Sequence, residues 1–153
     1  MRIRPAIERL LVIGATAILA GCGGSQSAAS PTPAPTPTPS PVVITKSDAS
    51  HGTFLVAASN QMTLYTFSKD TAGSGTSACK VGGCLTNWPA LTVPAGTKPT
   101  GGPGVTGTLG SITRADDGTI QVTYNGMPLY FFIKDKAVGD TNGIYTNWHL
   151  ATP

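Results

Sequence analysis

The groups in this chain that could do chemistry are few and unevenly placed. His51 and His149 are the only imidazoles. A Ser-His-Asp hydrolase would need one of them, yet neither lies in a nucleophile-elbow context. No catalytic residue is therefore expected, and the chain reads as a non-enzyme. Cys79-Lys80-Val81-Gly82-Gly83-Cys84 holds four residues between its cysteines, where a thioredoxin-type centre holds two. Half of a zinc site would need further ligands, and only the distant histidines could supply them. Met62 and Met127 could join those histidines around copper or another soft metal, but methionine beside leucine in an apolar strand is usually core filler. Asp140 and Asn142 lack the rest of a calcium loop and read as a plain turn. No metal and no cofactor is expected. The acids left over are Asp70 and Asp135, and these recur.

They close a stretch that occurs twice. From Asn60 and from Asn125 the chain reads Asn-x-Met-x-Leu-Tyr-x-Phe-x-Lys-Asp, with an offset of 65 residues. Thr86-Asn87-Trp88 and Thr146-Asn147-Trp148 follow the two copies, and Gly52-Thr53-Phe54 and Gly118-Thr119-Ile120 precede them. Three matched landmarks in one order are an internal repeat. Asp70 and Asp135 then have two readings, turn caps or paired acids across a pseudo-twofold axis, and caps are favoured. Tyr65, Phe67, Tyr130 and Phe132 could line a ligand groove. A packed aromatic core between two related sheets, with Trp88 and Trp148, is favoured.

The elements that must position these groups are strands. No window beyond residue 42 carries apolar residues at helical spacing, whereas Gly, Thr, Val and aromatics abound. Ile120, Val122 and Tyr124 alternate with polar residues, Asn125-Gly126 is the signature of a type I′ hairpin, and Met127 to Ile133 is the returning strand. Leu129, Phe131 and Ile133 face one side of it and Tyr130 and Phe132 the other, which predicts a central strand, although Pro128 points to an edge at its start. Met62 to Ser68 is the matching strand in the first copy. Between Trp88 and Ser111 the chain is rich in Pro and Gly and reads as a long structureless crossover. The expectation is an all-β, single compact domain over 42–153, built from two antiparallel β-meander repeats at about 50–92 and 110–153.

The N-terminus sets the address. Arg2, Arg4 and Arg9 precede an apolar run, Leu10 to Ala20, that is too short to cross a bilayer, which needs about 20 apolar residues, but fits a signal peptide over 1–21. It ends in Leu19-Ala20-Gly21-Cys22, which resembles a bacterial lipobox and predicts acylation of Cys22. That leaves Cys79 and Cys84 as an even pair in an exported chain, for which a disulfide is the direct reading. Residues 22–41 carry proline at 31, 33, 35, 37, 39 and 41 and read as a polyproline tether. From Val42 onward seven Lys/Arg face six Asp, a net of +1, against +3 for the whole chain. A near-neutral domain offers no basic footprint for nucleic acid.

Tyr65-x-Phe67-x-x-Asp70 and Tyr130-x-Phe132-x-x-Asp135, with Cys79, Cys84, Asn87-Trp88-Pro89, Asp117-Gly118 and the run from Tyr124 to Tyr130, resemble a bacterial family, the secreted repeat of unknown function. Its members are predicted lipoproteins with a Tyr-x-aromatic-x-x-Asp motif, and the likeness runs from about Ser50 to the C-terminus. The resemblance implies export and lipid anchoring. It brings no chemistry, because the family's function is undetermined, and no catalytic residue is carried over. The resulting reading is an extracytoplasmic lipoprotein, held to the cell membrane or outer membrane through Cys22. Its domain is a non-catalytic module that binds an envelope protein or a small ligand. The alternative is a redox or metal-handling accessory protein.

Overall fold

Strand β1 (Val43–Asp48) and strand β2 (Gly52–Ala57) pair antiparallel from Val43↔Ala57 to Asp48↔Gly52. Asp48 closes the turn between them, accepting from the amides of Ser50 (2.7 Å) and His51 (2.6 Å). The coordinates are a computed structural model that describes residues 39–153. The expected signal peptide over 1–21, Cys22 and most of the expected tether lie outside the described residues. The second repeat builds the same hairpin from β5 (Leu109–Thr113) and β6 (Ile120–Tyr124), and there Asp117 accepts from the Thr119 amide. Each hairpin is followed by a tight reversal. Asn125 and Gly126 both have positive φ, as a type I′ turn requires, and Gln61 does so at the equivalent place.

The segments after these reversals differ from the continuous strands expected of them. Regular pairing is confined to β3 (Tyr65–Phe67) and β7 (Met127–Pro128). Beyond Pro128 the chain changes partner at nearly every residue. Leu129 donates to Val122, Tyr130 to Tyr65, Phe131 to Pro89 and Ile133 to Asn87. Pro128 stands opposite Thr123 in β7, which pairs with β6 alone and so lies at the edge of its sheet, yet the proline is fully buried. It lacks an N–H, and the neighbouring amides find acceptors on several segments instead of one ladder.

These changes of partner interlock the repeats. Strand β8 (Trp148–Leu150), the tail of repeat two, pairs with β3 of repeat one in the register Phe67↔Trp148. The tail of repeat one, residues 88–91, runs beside 129–132 of repeat two. Equivalent backbone bonds appear on both sides. Ala151 donates to Leu64 and Leu91 to Leu129; Leu55 donates to Ala151 and Val122 to Leu91; Ser68 donates to Asn147 and Ile133 to Asn87. Tyr65 and Tyr130 exchange both their N–H···O bonds, at 2.8 and 3.0 Å, and so mark the local twofold axis. The all-β, two-repeat architecture is as the sequence predicts, but each repeat is completed by the other's tail.

Strand alternation sorts the motif residues into two cores. Leu64 and Leu129 join Val43, Leu55, Val122 and Tyr124 between the hairpins. Tyr65, Tyr130, Phe132, Trp88 and Trp148 form an aromatic core that includes Cys79. Phe67 corrects the expectation of a fully buried quartet: it is only partly buried, whereas Phe132, at the other end of the same stack, is also covered by Tyr145.

Two further expectations are revised. The crossover is not structureless: β4 (Thr92–Val93) pairs with β6, and Thr100 accepts from Val42 and Val43. The cysteine segment contains a short helix, α1 (Gly83–Asn87), that apolar periodicity could not reveal because none of its residues is buried. It is held locally, by Thr86 Oγ1 donating to Gly82 and Asn87 Nδ2 to Gly83. Cys79 and Cys84 are bonded, with Cα atoms 5.4 Å apart. A five-residue separation closes a short loop, so the double variant Cys79→Ser/Cys84→Ser should lose about 2 kcal/mol. Urea unfolding with an unchanged slope reads this directly, and an unmoved midpoint would contradict it.

Candidate functional site

The main-chain exchange between Tyr65 and Tyr130 sends the two rings to opposite sides of the axis, each into the other repeat. The Tyr65 hydroxyl donates to Asp135 Oδ2 at 2.7 Å, and the Tyr130 hydroxyl donates to Asp70 Oδ2, also at 2.7 Å. Both rings are wholly buried, and Asp70 and Asp135 are nearly so. Each carboxylate uses its second oxygen to cap its own turn: Asp70 accepts from the Ala78 amide at 2.6 Å and Asp135 from the Asn142 amide at 3.0 Å. The acids are thus turn caps, as favoured, and also the acceptors of a reciprocal cross-repeat bond that the sequence did not disclose. The phenol oxygens are further satisfied. Gly143 donates its amide to Tyr65, and Ser77 shares a 2.7 Å bond with Tyr130. Gly143 is needed there, since a Cβ would come within 2.6 Å of the Tyr65 ring.

Burial pushes both phenols far above the ordinary tyrosine value, and the adjoining carboxylates add to it, so they are proton donors at any physiological pH. Removing one hydroxyl strands a carboxylate oxygen. Tyr65→Phe and Tyr130→Phe should each cost about 1–3 kcal/mol in chemical denaturation. A double variant losing as little as either single one would mean that the two bonds are not independent.

Burial also raises the Asp135 carboxyl above 3.8, against the pull of Tyr65 and Asn142. The folded chain then holds this proton to higher pH than the unfolded chain does. The group's contribution to stability falls as pH rises from about 3.8 through the raised value, and acidification across that window stabilises. Carboxyl-carbon NMR should place the Asp135 midpoint above 3.8, and Asp135→Asn should remove that part of the pH slope. A midpoint below it would overturn the sign.

The aromatic core between these pairs is one stack of four rings. Phe67 lies on Trp148 (4.3 Å), Trp148 on Trp88 (3.7 Å, 3° from parallel) and Trp88 on Phe132 (4.4 Å). Equivalent residues occupy equivalent places on either side of the axis. Tyr65 meets Trp88 edge-on at 5.6 Å, and Tyr130 meets Trp148 at 5.1 Å. The edge-on contacts of the two tyrosines are an arrangement that aromatic pairs favour.

Arg114 is the only arginine beyond the N-terminal run. It is buried and reaches three groups: Gln121 Oε1 at 2.6 Å, the Cys79 carbonyl at 2.5 Å and Asp116 Oδ2 at 2.8 Å. Its rarity among lysines was the available signal, because arginine suits a buried, multiply bonded position better than lysine does.

The twofold relation breaks at the surface. Beside Asp70 the loop after the motif folds back, and Gly73 donates to Gly126, whose missing Cβ leaves room for the contact. Beside Asp135 the corresponding space is an open notch of about 210 Å³, lined by Asn60, Met62, Pro89, Phe132, Asp135 and Lys136. Ile133, Ile144 and Tyr145 are exposed in the same half of the chain, and Tyr145 packs against Phe132 and Trp88.

The remaining candidates are not brought to this centre. His51 rests on Asp48 at the β1–β2 turn, and His149 is exposed on β8. Met62 lines the notch, whereas Met127 lies in β7. Among the described residues no three His, Cys, Asp or Glu side chains gather as a metal site would need. Cys22 lies outside the described residues.

A family model, the secreted repeat of unknown function, matches residues 46–92 and 111–152. These spans coincide with the two interlocked halves. No curated protein and no solved structure matches the chain.

Proposed function

We propose that this chain, which belongs to the family of the secreted repeat of unknown function, is a lipid-anchored binding module of the bacterial envelope. Its exported character follows from the family. The anchor is the acylated Cys22, at the end of an apolar leader and ahead of a proline-rich tether. Several acyl chains at about 0.8 kcal/mol per buried CH₂ hold far more firmly than one. The domain catalyses no reaction of its own.

One observation carries this reading. The duplicated groups that could react, Tyr65, Tyr130, Asp70 and Asp135, are turned inward and bonded to one another. What the same region offers to solvent is contact surface: Ile133, Ile144, Tyr145 and the notch beside Asp135. The partner is an envelope protein or a small ligand, not nucleic acid. Cys79 and Cys84 are bonded to each other, so neither offers a thiolate to a soft metal.

Two experiments test it. Labelling with a fatty-acid analogue should mark the wild type and not Cys22→Ser; equal labelling would remove the anchor. A photo-crosslinking residue in place of Tyr145 or Ile133, in protein displayed on its own cells, should give a discrete adduct. The same residue at Lys98, exposed on the crossover, should not. Identical patterns from all three positions would sink the contact surface.

A further inference from the structure

The aromatic core has three properties that packing alone does not require: it is continuous, it reaches the surface, and each buried phenol on it has its own proton acceptor. Trp88 and Trp148 are face to face at 3.7 Å. Two indoles in that contact share the charge left when an electron is removed, so the pair is easier to oxidise than either ring alone. Tyr65 and Tyr130 lie edge-on to the pair, at 5.6 and 5.1 Å. A phenol gives up an electron readily only if its proton leaves with it, because the phenol radical cation is a very strong acid. A carboxylate at 2.7 Å meets that condition for both tyrosines. Tyr145 touches Trp88 at 6.1 Å and is 51% exposed, which connects the stack to solvent.

We propose that the domain is a one-electron donor in which Trp88 and Trp148 relay oxidation from the surface at Tyr145 to the buried Tyr65–Asp135 pair. The co-reactant is an outer-sphere one-electron oxidant, such as an oxidised metal complex or an oxygen-centred radical. It gains one electron. The hole passes through the indole pair to Tyr65, the Tyr65 O–H bond breaks, an O–H bond forms on Asp135 Oδ2, and a neutral tyrosyl radical remains. An external thiolate resets the centre by giving back one electron and leaving as a thiyl radical, and the proton returns from Asp135 Oδ2 to the Tyr65 oxygen. Burial strengthens the hold of Asp135 on that proton and so favours the transfer. Tyr130 and Asp70 repeat the geometry across the axis.

Flash oxidation of the full exported protein by photogenerated ruthenium(III) tris-bipyridine tests it, read by transient absorption and electron paramagnetic resonance. A tryptophanyl signal should appear first and convert to a tyrosyl signal, with a solvent deuterium isotope effect on the conversion. Tyr145→Phe should slow the first step. The double variant Tyr65→Phe/Tyr130→Phe keeps every ring and should strand the hole on tryptophan, with loss of the buried tyrosyl signal. Asp135→Asn, which still accepts a hydrogen bond but takes no proton, should weaken the conversion and its isotope effect. Thermal melts of the same samples establish that they are folded. A radical confined to Tyr145 in the wild type, or a wild-type conversion without an isotope effect, would overturn the proposal without recourse to any variant.

Discussion

Trp88→Ala should destabilise the domain by about 3–5 kcal/mol, the range for a large aromatic lost from a packed core. The substitution removes the stacking of Trp88 on both Trp148 and Phe132, and the edge contact with Tyr65. The cavity would open at the join of the two repeats, since Trp88 belongs to the tail of one and packs with the motif of the other. Collapse is hindered there because the backbone is pinned on both sides: Phe131 donates to Pro89 and Ile133 to Asn87. The equivalent Trp148→Ala should fall in the same range. Phe67→Ala should cost clearly less, as that ring is partly exposed at the end of the stack. Equilibrium urea unfolding checks all three. A loss below about 1 kcal/mol for Trp88→Ala, a value typical of an average substitution, would mean that the stack does not hold the halves together.

Arg114→Met should be the other large loss. It keeps an apolar stem of similar length and removes every donor. Gln121 Oε1 would be left buried without a partner, at about 1–3 kcal/mol, and the Cys79 carbonyl would keep only the 3.1 Å bond from Ser77 Oγ. Asp116 should matter less, because its side chain is 17% exposed and water can replace the guanidinium. Arg114→Lys should not rescue, since a single ammonium cannot reach three acceptors in the fork geometry of a guanidinium. The effect should reach beyond the hairpin. Arg114 ties β5–β6 to the cysteine loop through Cys79, and Gln121 passes the connection to the Leu129 carbonyl. Hydrogen exchange at 77–84 should therefore quicken in Arg114→Met. Unchanged protection there would confine the role of Arg114 to its own turn.

The sequence by itself determined the repeat, the strand content, the faces of the motif and the cysteine pair. Each of these is written locally. A period of two puts Leu64 and Leu129 on one face and Tyr65 and Tyr130 on the other, whatever lies beyond. Asn125-Gly126 allows positive φ at both turn positions without reference to the rest of the chain, and two cysteines left in an exported domain have each other. What the repeat could not disclose is which copy completes which. Asp70 looks like a cap on its own turn because a carboxylate five residues after a tyrosine has a local role available. Its second acceptor site is filled from 60 residues away, and that of Asp135 from 70 residues away in the other direction. Only the antiparallel meeting of Tyr65 with Tyr130 decides this, because it turns each ring into the opposite repeat. The same meeting decides the four-ring stack, and with it which rings are interior: Phe67 and Phe132 are identical in motif, and differ in burial because the surroundings of the two halves differ. Tertiary structure also decided that Arg114 is buried, since a charged side chain beside two aspartates reads as a solvated turn until Cys79 and Gln121 close over it.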